Sequence, residues 1–270
     1  MGAYGGSVDA PVLMPGTVHV AVAGGVARVT LDRPPLNLFE PALIRALRDT
    51  ITGLGADPSV RVIVLTGAGR AFTAGMDVNV LRGLDVGSAK SLISSLQAAI
   101  GAVHDAPVPV VGRINGAALG AGFELMLACD MRIAVPEAVL GLPEVQVGVP
   151  SVIEAALLSP AIGPARAAEL LFTGDTVRAD ATVEWGLVNR VAPAAELDAA
   201  VDRVVARIVA AAPGAVRLQK ELVIRWRQTD LTTAVRYGIN AFATSYASGE
   251  PHEGAAAFLE KRSPKWRAGS

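Results

Sequence analysis

The sequence contains a single cysteine, Cys129, in 270 residues. A lone cysteine excludes a disulfide within the chain. Cys129 follows the apolar stretch 125–128, and burial among apolar side chains raises the pKa of a thiol. We therefore expect Cys129 to be a small buried hydrophobic residue rather than a catalytic thiolate.

A charge imbalance and metal-ligand clusters are also lacking. The 24 Lys and Arg residues nearly balance the 25 Asp and Glu residues, and the formal net charge is -1. Without a broad positive field, nucleic acid is not an expected partner. The 3 histidines are scattered, and none lies at metal-ligand spacing or near a Gly-x-Ser-x-Gly motif. The sequence therefore predicts no metal site and gives no support to a Ser-His hydrolase.

Long apolar segments are absent as well. The chain has no run of 18 uncharged apolar residues, and its first 16 residues lack the basic flank and apolar centre of a signal peptide. We expect a cytoplasmic protein with no membrane partner. Residues 1–16 are mainly small, apolar, Pro or Gly, and we expect them to be mobile.

The sequence does contain enough apolar residues, 51%, to form a sizeable core. Short β-branched runs alternate with segments in which apolar residues return every three or four positions. This alternation predicts an α/β core over residues 17–194. The predicted strands are 26–31, 61–66, 108–113, 131–135 and 186–191, and the predicted helices are 41–54, 88–104 and 153–172.

The pattern becomes purely helical over the last part of the chain, residues 195–270. Helices are predicted at 195–212, 213–228 and 231–248. Their apolar residues occupy more than one face, so we expect this region to pack on the core or on another subunit.

Two loops rich in small residues, 67–77 and 115–124, each follow a predicted strand. The second enters a helix, and the first backbone N–H groups of a helix have no partner within it. Two such loops can supply a pair of N–H donors for an oxyanion. The alternative is that the glycines only permit close packing of helix on strand. Neither loop has a phosphate-loop or dinucleotide-binding motif.

Two glutamates, Glu124 and Glu144, lie in apolar surroundings. A buried carboxyl has to be paired, protonated or functional, and burial raises its pKa. Two such carboxyls can divide the roles of general acid and general base. The alternatives are an ion pair with Arg113 or Arg132, or a place on the solvent-facing side of a helix.

A Ser-x-x-Glu pattern, Ser151 and Glu154, precedes the apolar run 155–158. This pattern is typical of a capping box at the start of a helix. We therefore interpret Glu154 as a capping residue rather than a catalytic one.

Most of the chain, about residues 26–266, resembles the enoyl-CoA hydratase/isomerase (crotonase) superfamily. Glu124 and Glu144 are 20 residues apart (144 minus 124), as the two catalytic glutamates of the family's hydratases are. The matching segments are 29–34, 72–77, 115–130, 172–175, 186–188 and 253–262.

The resemblance implies an α/β fold, a crotonase-like spiral of ββα units with a C-terminal helical trimerisation region. It also implies a homo-oligomer, either a trimer or a dimer of trimers. The backbone N–H groups of Met76 and Ala121 would form the oxyanion hole, and Glu124 and Glu144 would be catalytic.

The implied activity is that of an enoyl-CoA hydratase, which adds water in syn fashion to a trans-2-enoyl-CoA and gives a 3-hydroxyacyl-CoA. In this mechanism Glu124 deprotonates the water and Glu144 protonates the α carbon. The alternatives are a Δ3,Δ2-enoyl-CoA isomerase, an acyl-CoA thioester hydrolase and a non-enzymatic acyl-CoA-binding protein. The chain differs from the family's hydratases at residues 150–156, where they have a Gly-Gly-Thr-Gln-Arg-Leu stretch.

The resemblance also implies contacts with the acyl-CoA substrate. Arg70, Ala74 and Asp77 would contact it from the first loop, whereas Phe258 and Lys261 would contact the adenine end from a neighbouring subunit. Coenzyme A is part of the substrate, so no separate cofactor is expected.

Overall fold

Ten strands form two sheets in the structure, a computed structural model that describes residues 16–267. The strands are β1 (Thr17–Ala23), β2 (Val26–Asp32), β3 (Val62–Gly67), β4 (Ala71–Thr73), β5 (Val110–Ile114), β6 (Ala117–Leu119), β7 (Met131–Ala134), β8 (Val139–Gly141), β9 (Thr176–Arg178) and β10 (Arg190–Val191). The larger sheet has the order β1-β2-β3-β5-β7-β10, and the smaller has the order β4-β6-β8-β9. Within them β1–β2 and β8–β9 pair antiparallel and the other pairs are parallel.

Ten α-helices connect or follow these strands. They are α1 (Pro41–Ala56), α2 (Val78–Leu81), α3 (Val86–His104), α4 (Ala121–Ala128), α5 (Leu158–Ile162), α6 (Pro164–Thr173), α7 (Leu197–Val209), α8 (Pro213–Trp226), α9 (Leu231–Ser245) and α10 (Glu250–Leu259). Short 3-10 helices include Pro143–Val147 and Glu154–Leu157.

The chain winds as a spiral of ββα turns, as the resemblance implied. In three successive turns the first strand (β3, β5, β7) enters the larger sheet and the second (β4, β6, β8) enters the smaller sheet. Helices α2 and α3, then α4, then α5 and α6 complete these turns. The loops at the ends of successive strands are therefore stacked side by side.

Burial explains why these segments form strands and helices. Strand β3 has four consecutive buried apolar residues, Val62 to Leu65, as parallel strands covered on both faces do. All eight residues of α4 are buried, which matches its apolar character on every side. Helix α3 begins at a capping box in which Asp85 accepts from the Ser88 N–H at 2.7 Å.

Two predicted elements were wrong in extent. The predicted helix 153–172 is interrupted at Gly163, which has a φ of 84° and is followed by Pro164 at the start of α6. Of the predicted strand 186–191, only β10 is extended, because residues 182–187 form turns closed by backbone hydrogen bonds, such as Leu187 N–H to Thr182 O at 3.2 Å.

The C-terminal region contains the predicted helices and one more, α10. Helix α7 lies on the core through Leu197, Val201 and Val205, all buried. Helix α9, in contrast, leaves large apolar side chains exposed. The predicted mobile segment 1–16 lies outside the described residues except for Gly16, whose N–H donates to Glu40 Oε1 at 2.9 Å.

Residues 16–267 lack both membrane-spanning helices and clusters of metal-binding side chains. None of the helices there combines the length and the apolar character needed to cross a bilayer. That same part of the chain contains no group of three or more His, Cys, Asp or Glu side chains placed to hold a metal ion.

Candidate active site

The two loops rich in small residues lie against each other, backbone to backbone. Both include a short strand that the sequence pattern did not predict, β4 in the first loop and β6 in the second, and Ala71 pairs with Ala117. A Cβ added to Gly122 would overlap the carbonyl oxygen of Thr73. The glycines therefore permit close packing, which was the alternative to an oxyanion site. This packing also brings the two candidate oxyanion donors, Met76 and Ala121, to the wall of one cavity.

Met76 provides the first candidate donor. Its neighbours are held by Phe39, whose N–H donates to Gly75 O at 2.8 Å and whose carbonyl accepts from Asp77 N–H at 3.0 Å. Among residues 16–267 the Met76 N–H itself has no protein acceptor. A backbone clamped on both sides of a free N–H is a preorganised donor.

Ala121 provides the second candidate donor, at the first position of α4. The preceding residue, Gly120, has a φ of 54° and a ψ of -126°, which turns the chain sharply into the helix. N–H groups of a first helical turn have no partner within the helix and carry partial positive charge. A Cβ on Gly75 would lie 3.4 Å from the Ala121 nitrogen, so the two loops meet directly beside this donor.

A cavity of about 490 Å³ opens beside these donors. Met76 and Ala121 lie in its wall, and so do both candidate catalytic glutamates. Most of its other lining side chains are aliphatic, including Val78, Leu81, Leu84, Leu92, Ile93, Leu96, Val147, Val149 and Val152. The volume and the apolar lining suit a small-molecule site with a few convergent polar groups.

Glu124 is 2% exposed and has no cationic partner in the described part of the chain, residues 16–267. Its Oε1 accepts from the Val152 N–H at 3.2 Å. Arg113 pairs instead with Asp198 at 2.6 Å, and Arg132 donates to backbone carbonyls such as that of Cys129 at 2.8 Å. The ion-pair and solvent-facing alternatives are therefore wrong for Glu124.

The environment of Glu124 favours its protonated form. Burial raises its pKa most, and the negative charge of Glu144 raises it further, whereas the Val152 N–H opposes the shift. The resulting pKa of Glu124 is about 8. At neutral pH the carboxyl pair therefore holds a proton on Glu124.

Glu144 lies on the 3-10 helix Pro143–Val147 and is half-buried. Its Oε2 accepts from the Ser151 hydroxyl at 2.8 Å. Its Oε1 lies 3.1 Å from the point where a Cβ on Gly120 would stand, so this oxygen faces the turn that leads to Ala121. Neither Arg113 nor Arg132 contacts it, which makes the ion-pair alternative wrong for Glu144 as well.

The predicted capping box of Ser151 and Glu154 is wrong. The residue that precedes the 3-10 helix there is Ile153, and no side chain caps that helix. Ser151 bonds to Glu144 instead, a contact that the sequence reading missed because the intervening turn 145–150 brings the two together. Glu154 is half-buried, and burial raises its pKa.

The residues predicted to contact CoA are spread over different environments. Ala74 lines the cavity, and Arg70 is exposed in the same loop. Asp77 is 4% exposed, pairs with Arg33 at 2.9 Å and does not line the cavity.

Two further predicted contacts are exposed: Phe258 lies in the last turn of α10, and Lys261 lies just past the end of that helix. Neither lines the cavity of its own chain.

Asp77 also caps a helix. Its Oδ1 accepts from the Asn79 N–H at 3.0 Å at the start of α2. Burial raises the pKa of Asp77, but the hydrogen bonds from Arg33 and Asn79 outweigh it and the net pKa is lowered.

Cys129 is buried, as predicted. Burial raises the pKa of its thiol to about 12. It therefore does not supply a thiolate at neutral pH.

Met76, Ala121, Glu124 and Glu144 thus line one apolar cavity, an arrangement that suits an enzyme in which a carbonyl oxygen is held while protons move near it. The chain belongs to the enoyl-CoA hydratase/isomerase family, whose model matches residues 21–269. The crotonyl-CoA hydratase of Syntrophomonas wolfei is 34% identical over 240 residues, which cover 88% of this chain and 92% of that protein. The short-chain-enoyl-CoA hydratase of Clostridium acetobutylicum is 32% identical over 242 residues, which cover 88% and 93%.

Solved structures agree with this assignment. The crystal structure of enoyl-CoA hydratase from Bacillus anthracis superposes with a TM-score of 0.88 at 34% identity. The superposition covers 92% of this chain and 98% of the other. The α/β spiral with its C-terminal helices is thus the fold of the family.

Proposed function

We propose that this protein is an enoyl-CoA hydratase that adds water to a trans-2-enoyl-CoA and forms a 3-hydroxyacyl-CoA. The observation that carries the proposal is the meeting of two carboxyls and two backbone donors in one apolar cavity. The curated relatives from Syntrophomonas wolfei and Clostridium acetobutylicum, both named as hydratases, support it.

In this proposal the thioester oxygen accepts hydrogen bonds from the N–H groups of Met76 and Ala121. These donors stabilise the enolate that forms when hydroxide adds to the β carbon, and a single donor of this kind is typically worth about 10²–10³ in rate. The bonds strengthen as charge develops on the oxygen, so they accelerate the chemical step rather than only tightening binding.

The glutamates move the protons. Before addition, the proton on Glu124 passes through the water held by both carboxyls to Glu144, which leaves Glu124 ionised. Glu124 then takes a proton from the water as its oxygen bonds to the β carbon, and Glu144 gives its proton to the α carbon. The pair ends as it began, with one proton on Glu124.

The aliphatic lining of the cavity favours an apolar acyl chain, as in fatty acyl thioesters. We propose that α2 and α3 contact this chain through Val78, Leu81, Leu92 and Ile93, which line the cavity. Residues 146–152 would close the same space. Selectivity for chain length would then come from contacts with methylene groups, each worth about 0.8 kcal/mol when buried.

We propose further that Arg70, Ala74, Asp77, Phe258 and Lys261 serve CoA binding, with no cofactor beyond the CoA of the substrate. Asp77 would act indirectly, since it is paired with Arg33 and adjoins Met76. Phe258 and Lys261 would act on a neighbouring subunit in a trimer or a dimer of trimers.

Turnover of crotonyl-CoA and of longer trans-2-enoyl-CoAs tests the hydratase proposal. The enoyl thioester absorbance should fall, and mass spectrometry should show a product heavier by one water. Double-bond migration in a 3-enoyl-CoA without hydration would indicate an isomerase, and release of free CoA would indicate a hydrolase. Binding with none of these reactions would indicate an acyl-CoA-binding protein.

A further inference from the structure

Two consecutive residues, Ser151 and Val152, hold the two glutamates. The hydroxyl of Ser151 donates to Glu144 Oε2 at 2.8 Å, and the backbone N–H of Val152 donates to Glu124 Oε1 at 3.2 Å. One short segment therefore contacts both carboxyls, and it lies within the residues 150–156 where the chain differs from the family's usual glycine-rich stretch.

The hydrogen bond from Ser151 engages Oε2 of Glu144 and leaves Oε1 available for proton transfer. With Oε2 bound to Ser151, Oε1 faces the turn at Gly120, next to the oxyanion donor Ala121. Within residues 16–267 no cationic side chain pairs with this carboxyl, and the 3-10 helix that bears it is half-exposed, with Val145 at 38% and Val147 at 68% exposure. The hydroxyl of Ser151 is thus the side-chain contact that selects its orientation.

We propose that Ser151 is a positioning residue that holds the Glu144 carboxyl with Oε1 directed at the reacting carbons. The inference rests on the proposed hydratase activity, in which Glu144 delivers a proton to the α carbon. Ser151 does not itself touch the reacting atoms. It acts through Glu144, whereas the hydrogen bond to Glu124 comes from the backbone N–H of Val152, which substitution of Ser151 leaves in place.

The consequence of losing the hydroxyl follows from geometry. A carboxyl released from Ser151 can rotate about its side-chain torsions, and fewer molecules then hold Oε1 where the α carbon receives its proton. Misplacement of a catalytic group by about 1 Å can lower the rate about 10²-fold. Binding of the thioester does not depend on this orientation, so kcat should change and KM should not.

The test compares Ser151→Ala, Ser151→Thr and Ser159→Ala with the wild type. Thr keeps a hydroxyl at the same carbon, and Ser159 is an exposed serine eight residues further on (159 minus 151) that does not line the cavity. We expect Ser151→Ala to lower kcat for enoyl-CoA hydration by roughly 10- to 100-fold with little change in KM. Ser151→Thr should retain most of the rate, and Ser159→Ala should match the wild type.

Crystal structures of the wild type and of Ser151→Ala provide a readout that needs no turnover. We expect Glu144 Oε2 to leave its wild-type position in the variant. An unchanged kcat in Ser151→Ala overturns the proposal, and so does a Thr variant that folds but is as slow as the Ala variant. If the wild type hydrates no enoyl-CoA, the proposed function fails, and an unmoved Glu144 in the variant structure then separately overturns the positioning role.

Discussion

Glu124 is a carboxyl in the wall of the apolar cavity. It is almost fully buried, a second carboxyl adjoins it, and within residues 16–267 no cationic side chain pairs with it. Such an arrangement destabilises the ionised form and is typical of active sites, where pKa values are matched to proton transfer. The same features predict how the protein responds to substitution and to pH.

Glu124→Gln and Glu144→Gln should each lower kcat by about 10²–10⁴, because each removes one of the two proton-transfer groups. The double variant should be little worse than either single variant, because the two residues act as a unit. Steady-state hydration kinetics of the three variants measure this.

Melting temperature measured on the same proteins separates catalysis from structure. Breaking a buried ion pair would destabilise by roughly 3–5 kcal/mol. Glu124→Gln leaves no buried cation unpaired among residues 16–267, and the Gln side chain can still accept a hydrogen bond from the Val152 N–H. The variant should therefore have a melting temperature no lower than that of the wild type. Glu169→Gln, at an exposed position on α6, is the matched control. Normal hydration by a well-folded Glu144→Gln would remove Glu144 from the mechanism.

The rate of hydration should fall as pH rises through about 8, the pKa of Glu124. Below this pH the carboxyl pair holds the proton that the α carbon receives, and above it the pair loses that proton. The value of kcat/KM should then decline about tenfold per pH unit on the alkaline side. In Glu124→Gln this alkaline decline of kcat/KM should disappear. A rate that stays unchanged over the two pH units above 8 would contradict the role of the Glu124 proton.

At the scale of elements, the site depends on the contact between the two loops. Gly122→Ala places a methyl group against the Thr73 carbonyl, so the loops have to separate and the donors move apart. We expect lower kcat together with lower stability. Gly53→Ala is the control, because a Cβ at this exposed position in α1 meets no atom within 4 Å and should stabilise the helix by roughly 0.4–1 kcal/mol. Thermal melts and kinetics of both variants check this.

The long elements could be predicted from sequence because their patterns are local. In helices α1 and α3 apolar residues return every three or four positions over four or five turns. Strand β3 is a run of β-branched and aliphatic residues. The three-residue strands β4 and β6 have no alternation to detect, since only pairing with each other defines them.

The candidate site was only partly visible in the sequence. Composition alone favoured a paired or solvent-facing carboxyl at Glu124, and the resemblance, with its spacing of two glutamates, identified the catalytic alternative. Ser151 was misread because Ser-x-x-Glu is a local signal, whereas its actual partner, Glu144, is set by the path of the turn between them. Contacts that depend on such a path have no local pattern.

At the scale of the whole molecule, α9 leaves an apolar face uncovered in the single chain. Its exposed side chains include Leu231 at 79%, Val235 at 53%, Ile239 at 63% and Phe242 at 69%. A face of this kind is a typical protein-protein contact. We expect a trimer or a dimer of trimers in light scattering at micromolar concentration, and a smaller mass for Phe242→Glu. A monomeric wild type would rule this out.

The proposed contacts of Arg70 and Lys261 with CoA can be tested kinetically. Arg70→Ala and Lys261→Ala should raise KM for the acyl-CoA and leave kcat nearly unchanged, because the two cationic side chains would bind ground state and transition state alike. Arg82→Ala, an exposed position after α2 that does not line the cavity, is a control for loss of surface charge. An unchanged KM in both variants would show that these residues do not bind CoA.

The groups of the proposed active site come from three successive ββα turns of the chain. The loop after β4 would provide one proposed oxyanion donor, and α2 and α3 line the cavity. The next turn would provide the other donor and Glu124, and the turn of β7 and β8 leads to Glu144. Residues 78–96 form one part of the cavity wall, and residues 143–152 form another. Substitutions within residues 78–96 would therefore change one side of the acyl cavity while the proposed reactive groups stay untouched.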